Sequence, residues 1–213
     1  MSTSAQPTHY LPYVSRDWRR IALQMAAEAG AEALFKGVRN PQARVRHRIH
    51  HAYLPTARAL ELMRTSETIA ILQPAFIYNL GESYIKSLGL NHARRMNPYR
   101  TYLMNAITLA GSSDSAVTDY NPWVGLYAAV KHQTVLGTPF DQRENLTTAE
   151  ALRIYTRGSA YVTFEEAVMG SIETGKYADF VVVAEDVLTM PPDELKDVKP
   201  QMTAVGGKVV FGG

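Results

Sequence analysis

The patterning of the chain changes character at Gly170, and that change bounds what it can fold into. Upstream, short apolar runs alternate with helical stretches; downstream, the residues read as strand and turn to the end. Strands that alternate with helices require parallel pairing through right-handed crossovers, as in a barrel or a doubly wound sheet. Downstream, Gly170–Val183 reads as one short strand, a tight Gly175-Lys176 turn and a second strand. Gly175 permits a positive φ there, and the apolar run Phe180–Val183 has the length of a fully buried strand. A hairpin over Val205–Val210 follows. The sequence therefore divides at 1–169 and 170–213, with the second part expected to form a separate antiparallel layer.

The elements of the first part can be placed. The spacing predicts a basic strand over Val45–Ala52, a second over Thr68–Leu72 closed by Gln73-Pro74, and a third over Ile107–Ala110 that ends at Gly111-Ser112-Ser113-Asp114. These three are expected to be parallel neighbours in one sheet. Leu54-Pro55-Thr56 opens a helix with Ala59, Leu60, Leu62 and Met63 as its apolar positions, and Tyr84–Leu90, Pro98–Asn105 and Trp123–Lys131 read as helical pieces. Thr147-Thr148-Ala149-Glu150 is a capping box for the helix through Leu152, Ile154 and Tyr155, since the Thr147 hydroxyl and the Glu150 carboxylate satisfy each other's free backbone donors. Met1–Pro12 reads as a loose arm. Asp17 is placed to cap a helix through Trp18, Ile21, Leu23, Met25 and Ala26, with Gly30 as its expected stop.

Composition excludes several classes. Zero cysteines among 213 residues rules out disulfides and thiolate metal sites, so any metal must be held by His, Asp or Glu. A net charge of +2 is too small to argue for nucleic acid. The eight Lys/Arg against three Asp/Glu in residues 1–50 read as a solvated basic face. No apolar stretch approaches the roughly 18 residues of a helical membrane span. Met1–Pro12 lacks the pattern of a secretory signal, so no membrane is expected and the expected compartment is cytoplasmic.

The residues that could carry chemistry sit at two strand ends. In Arg46-His47-Arg48-Ile49-His50-His51-Ala52, period-two alternation puts His47, Ile49 and His51 on one face and Arg48 with His50 on the other. A histidine at the carboxy end of a barrel strand lies where side chains converge on an active site; an exposed or carbonyl-bonded histidine is the plainer alternative. Asp114, in its Gly-Ser-Ser turn, suits either a catalytic carboxylate or an Asx turn.

An ordered series of motifs favours the chemical readings. Arg46–Phe211 resembles, nearly end to end, the last part of the amidohydrolase superfamily, in the branch of N-substituted formamide deformylases and related metal-dependent amidases. Arg46-His47-Arg48-Ile49-His50-His51-Ala52 is similar to the branch's strand-six motif Arg-His-Arg-Ile-Glu-His-Ala, with His50 in place of the usual Glu. Gln73-Pro74-Ala75-Phe76 resembles the end of strand seven, and Gly111-Ser112-Ser113-Asp114 the strand-eight motif. Asn121-Pro122-Trp123, Leu126–Val130, Leu146–Leu152 and Pro191–Asp197 follow in the family's order. The resemblance implies an α/β fold, a partial (β/α)8 TIM barrel made of its last strands and helices, with a small C-terminal β-sandwich segment. It implies hydrolysis of small-molecule amides by water activated on a divalent metal, zinc. His51 then falls on a metal ligand. Asp114 falls on the metal-associated, catalytic aspartate that takes the water's proton and returns it to the leaving nitrogen. His50 and Ser113 take supporting places.

Two family motifs are missing. The barrel of the family opens with His-x-His on strand one, and no two histidines here stand two residues apart. The strand-five motif His-Ala-x-Gly-Asp is unmatched as well, because Ile21–Gly30 holds no histidine. A full barrel needs about 250 residues. The chain thus reads as the final portion of a barrel: a truncated product, a misplaced start, or a subunit completed by another chain. Two functions follow, a hydrolase of non-peptide carbon–nitrogen bonds or an inactive remnant or interaction subunit. Open sheet edges make an oligomer or a complementing chain the expected partner.

Overall fold

Strand β1 (Arg48–His50), β2 (Ile69–Leu72) and β3 (Leu109–Gly111) lie side by side in chain order, and both pairings are parallel. The computed structural model describes residues 45–212, so the expected arm and the helix from Asp17 to Gly30 lie outside the described residues. Register sets Arg48 opposite Ile69 and His50 opposite Ile71, and then Ala70 opposite Leu109 and Leu72 opposite Gly111. β2 is buried along its whole length, as befits the central strand of a sheet covered on both faces. Its alternation divides the core: Ala70 and Leu72 join the large cluster under the helices, while Ile69 and Ile71 pack with Ala110 and Val162 on the opposite face.

Helices supply the crossovers. Helix α1 (Ala57–Thr65) begins where the Thr56 side chain accepts from Ala59 N at 3.1 Å, and it buries Ala59, Leu62 and Met63 as the spacing predicts. Helix α2 (Pro74–Leu88) starts ten residues before the expected helical piece at Tyr84. Pro74, read from sequence as the end of a strand, opens the helix instead, because at the first helical position its missing N–H costs nothing and its fixed φ suits the turn. After α3 (Leu90–Ala93) and α4 (Tyr99–Met104) comes β3, then α5 (Pro122–Lys131), capped by Asn121 accepting from Trp123 N at 3.0 Å. The capping box forms as expected at α6 (Thr148–Arg153), with Glu150 N donating to Thr147 Oγ1 at 3.2 Å and Thr147 N donating to Glu150 Oε2 at 2.8 Å. A single π-helical turn (Ile154–Gly158) then leads into α7 (Ser159–Val162).

That π turn lies against the outer edge of β3. A Cβ added to Gly158 would run into the carbonyl oxygen of Leu109, and Ser159 Oγ donates to Gly111 O at 3.3 Å. These two carbonyls point away from β2, so a hydroxyl and a bare glycine backbone cover the edge that a further strand would otherwise pair. Just beyond α7, Arg46 ties the start of β1 to Glu166 by two hydrogen bonds, its guanidinium 3.7 Å from the Tyr161 ring centre.

The second sheet is antiparallel, in the order β4 (Phe180–Val183), β5 (Pro200–Val205), β6 (Lys208–Gly212), with Gly206 and Gly207 at positive φ in the β5–β6 turn. Three sequence expectations for this part fail. Gly170–Thr174 forms no strand: Ile172 is 85% exposed and finds no partner strand among the described residues, although Gly175 does take a positive φ in a turn closed by Lys176 N donating to Glu173 O at 3.1 Å. β4 is not fully buried, since Val181 is 51% exposed. The region is not all strand and turn either, because a 3₁₀ helix (Pro192–Asp197) intervenes. Its Leu195 is wholly buried in the main core, and Lys131 at the end of α5 bonds Asp193 at 3.0 Å. Among the described residues, no helix is long and apolar enough to cross a membrane.

Two stability predictions follow. Gly158→Ala should destabilise the fold by roughly 1–3 kcal/mol in chemical denaturation, because the methyl meets fixed backbone and not a mobile side chain; an unchanged midpoint would refute the close approach. The two hydrogen bonds from Arg100 hold Glu150 down to about 2, from an ordinary 4.5. A carboxylate depressed on folding stabilises fully above its unfolded pKa and loses that contribution as pH falls toward the folded value. Melting temperature should therefore drop between about pH 4.5 and 2, and Glu150→Gln should melt lower at pH 7 with a flatter acid limb.

Candidate functional site at the carboxy ends of β1 and β3

His51 and Asp114, more than sixty positions apart in sequence, meet in space. Each follows a strand of the parallel sheet, so both emerge on the same rim, and the His51 Nε2 to Asp114 Oδ2 distance is 3.4 Å. Their side chains are 43% and 41% exposed. Both residues adopt a left-handed backbone conformation, with φ of 56° for His51 and 53° for Asp114. Aspartate and histidine both enter that region more readily than most residues, and each stores strain of order 1 kcal/mol there. The turn at His51 also corrects the sequence reading: the strand stops at His50 instead of reaching Ala52, so alternation does not govern where the His51 ring points.

Beneath the His51 ring lies a buried polar chain. His51 Nδ1 is 2.7 Å from the Tyr53 hydroxyl, that hydroxyl donates to Gln73 Oε1 at 3.0 Å, and Gln73 Nε2 donates to Ser112 Oγ at 2.8 Å. Tyr53 and Gln73 are 6% and 1% exposed, so these bonds are made where water does not compete. The Tyr84 hydroxyl also hydrogen-bonds to Tyr53. Burial pushes Tyr84 up to about 12 and Tyr53 higher still, which keeps both phenols protonated. Phe76, 5.7 Å from the His51 ring centre, completes an aromatic floor with Tyr53. Partial desolvation of its ring, with Arg48 and His51 nearby, holds His50 below its ordinary value although the side chain is exposed.

The other sequence candidates stand apart from this pair. His50 lies within β1, exposed. Ser113 O accepts from the Thr118 hydroxyl at 2.5 Å and Ser113 Oγ from Ser115 N at 3.3 Å, bonds that shape the turn around Asp114. Sequence reasoning gave no role to Tyr53, for which the chain offers no motif. It placed Gln73 only within a matched segment.

The donor set suits a divalent ion as far as it goes. An imidazole nitrogen and a carboxylate oxygen are ordinary zinc ligands, and two ligands of one tetrahedral ion at about 2.0–2.1 Å stand about 3.4 Å apart. The separation of 3.4 Å between His51 Nε2 and Asp114 Oδ2 meets that requirement and is long for a direct hydrogen bond. Among the described residues, however, no group of three or more His, Asp or Glu could enclose an ion.

Known proteins resemble the chain in sequence and in fold. The chain is 27% identical over 205 residues to YtcJ of Bacillus subtilis (strain 168), a match covering 92% of this chain and 39% of that protein. It is 27% identical over 161 residues to the N-substituted formamide deformylase of Arthrobacter pascens, covering 75% of this chain and 30% of that enzyme. Among solved structures, an uncharacterized metal-dependent hydrolase from Pyrococcus furiosus superposes with a TM-score of 0.63 at 25% identity, over 83% of this chain and 38% of the other. The chain thus spans 39%, 30% and 38% of the length of these three proteins. The sequence profile of the amidohydrolase family covers residues 19–211, and the chain belongs to that family.

Proposed function

We propose that β1 to β3 with their helices form the closing arc of a (β/α)8 barrel, that β4 to β6 are part of its β-sandwich, and that the assembled protein hydrolyses carbon–nitrogen bonds of small non-peptide amides with zinc. The observation that carries this reading is the meeting of His51 and Asp114 at 3.4 Å on one rim of a parallel sheet, in a chain of the amidohydrolase family. The match to a formamide deformylase supports the substrate class. An ion held there supplies an acidified water and a polarised carbonyl. His51 Nε2 and Asp114 Oδ2 would hold it. Asp114, half exposed to the rim, is placed to take a proton from an attacking water on its carboxylate and to return it to the departing nitrogen. Phe76 and the buried Tyr53 form an apolar base that keeps bulk water from one side of this space.

Catalytic zinc normally takes three protein ligands, and two are present among the described residues. That observation favours a second reading for the chain by itself, an inactive subunit that needs a complementing polypeptide. The exposed valines of β4 and β6 and the exposed Phe211 offer an apolar surface for association. Purified alone, the chain should show little turnover of formamides and N-acyl amines with or without zinc, and light scattering should give a mass above that of a monomer. Turnover that appears on adding a polypeptide carrying a His-x-His segment, and vanishes in Asp114→Gly, would support the hydrolase. Asp114→Gly relieves the positive φ, so lost activity in that variant would not reflect unfolding. Robust turnover by the chain alone, unchanged in His51→Ala and Asp114→Ala, would place the chemistry elsewhere.

A further inference from the structure

The buried chain under His51 has a direction. A carboxamide oxygen only accepts and its nitrogen only donates. Gln73 presents its oxygen to Tyr53 and its nitrogen to Ser112, so the single proton of the Tyr53 hydroxyl is committed to Gln73. The Tyr53 oxygen can then only accept from its remaining neighbours. His51 Nδ1, 2.7 Å away, must carry a hydrogen to make that bond. A neutral imidazole has one such hydrogen, so its Nε2 is left with a lone pair, and Nε2 is the atom that faces Asp114. The parts are fixed in place: Tyr53 N donates to His51 O at 2.7 Å, Tyr53 O accepts from Asn97 N at 3.1 Å, and the Asn97 amide nitrogen donates to Gln73 O at 3.3 Å.

We propose that Tyr53, oriented by Gln73, is a positioning residue that locks His51 in the Nδ1–H tautomer and so presents the Nε2 lone pair, beside the Asp114 carboxylate, to a divalent cation. The consequence for the cation rests on the reading of this rim as a metal site; the tautomer does not. The partners are tuned for a permanent bond, since both lie out of water and neither phenol nor carboxamide ionises near neutrality. A ligating histidine whose second nitrogen is held in this way binds more tightly, and loss of such a support typically costs about 10–100-fold in metal affinity.

The test uses the ¹⁵N-labelled chain without added metal at pH 8, with the His51 ring signals assigned by their absence in His51→Ala. Long-range ¹H–¹⁵N spectra should show His51 with a protonated Nδ1 and a bare Nε2. Tyr53→Phe keeps the ring and removes the acceptor, and His51 should relax to a mixture of tautomers. Gln73→Met combined with Tyr84→Phe frees the Tyr53 proton and leaves His51 as its acceptor, which should drive the ring to the Nε2–H form. Calorimetric titration with zinc should then fall about 10–100-fold in affinity for both variants. A protonated Nε2 in the unaltered chain, or a tautomer indifferent to both substitutions in folded protein, would overturn the proposal. A zinc affinity that stays constant while the tautomer changes would also overturn the positioning role. No zinc binding by any form, with the tautomers as stated, would leave the lock standing and remove the metal reading instead.

Discussion

Parallel pairing makes every loop that follows a strand leave the sheet on the same side, and the rest of this structure depends on that constraint. β1, β2 and β3 pair without a reversal, so the residues after them, His51, Gln73 and Ser112 with Asp114, arrive at one rim although α1 to α4 and the loops between them intervene in sequence. The buried Gln73 bridges the ends of all three strands, reaching Tyr53 after β1 and Ser112 after β3 from its own place after β2. Its carboxamide gives the side-chain hydroxyls that follow β1 and β3 a partner each. The same bridge sets the His51 ring, which couples closure of the sheet to the geometry of the candidate site.

Polar side chains also govern how the sheet ends. The outer edge of β3 is met by Gly158 and the Ser159 hydroxyl, and the start of β1 is held by Arg46 through Glu166 and Tyr161. Val162 between them fills the face that carries Ile69 and Ile71. The segment from the π turn to Glu166 therefore runs across the sheet and covers apolar surface that the three strands alone would leave to water.

Much of this was legible in the sequence wherever a local rule acts alone. Thr147 and Glu150 announced the capping box, which needs no distant partner, and alternating strands and helices announced parallel pairing because strands joined through a helix return in the same direction. His51 and Asp114 were legible as candidates through their motifs, and the parallel register brings them together. Elsewhere tertiary context decided. Pro74 reads equally as the close of a strand or the first turn of a helix. Gly170–Thr174 has strand-like character but no neighbouring strand among the described residues to pair with, and it is irregular. Tyr53 gave no signal, since its importance comes from Gln73, whose oxygen lies twenty residues away in sequence and 3.0 Å away in space.

The central claim is that two strand ends of this chain make one cation-binding rim. Titration of the ¹⁵N-labelled chain with Mn²⁺ tests it most directly, because paramagnetic broadening reports distance from the ion and needs no substrate or second subunit. The account predicts that the amides of His51–Tyr53 and of Ser112–Asp114 broaden first and at the same metal concentration, with the broadening lost in Asp114→Gly. Broadening of one segment without the other, or centred on a different part of the molecule, would contradict it.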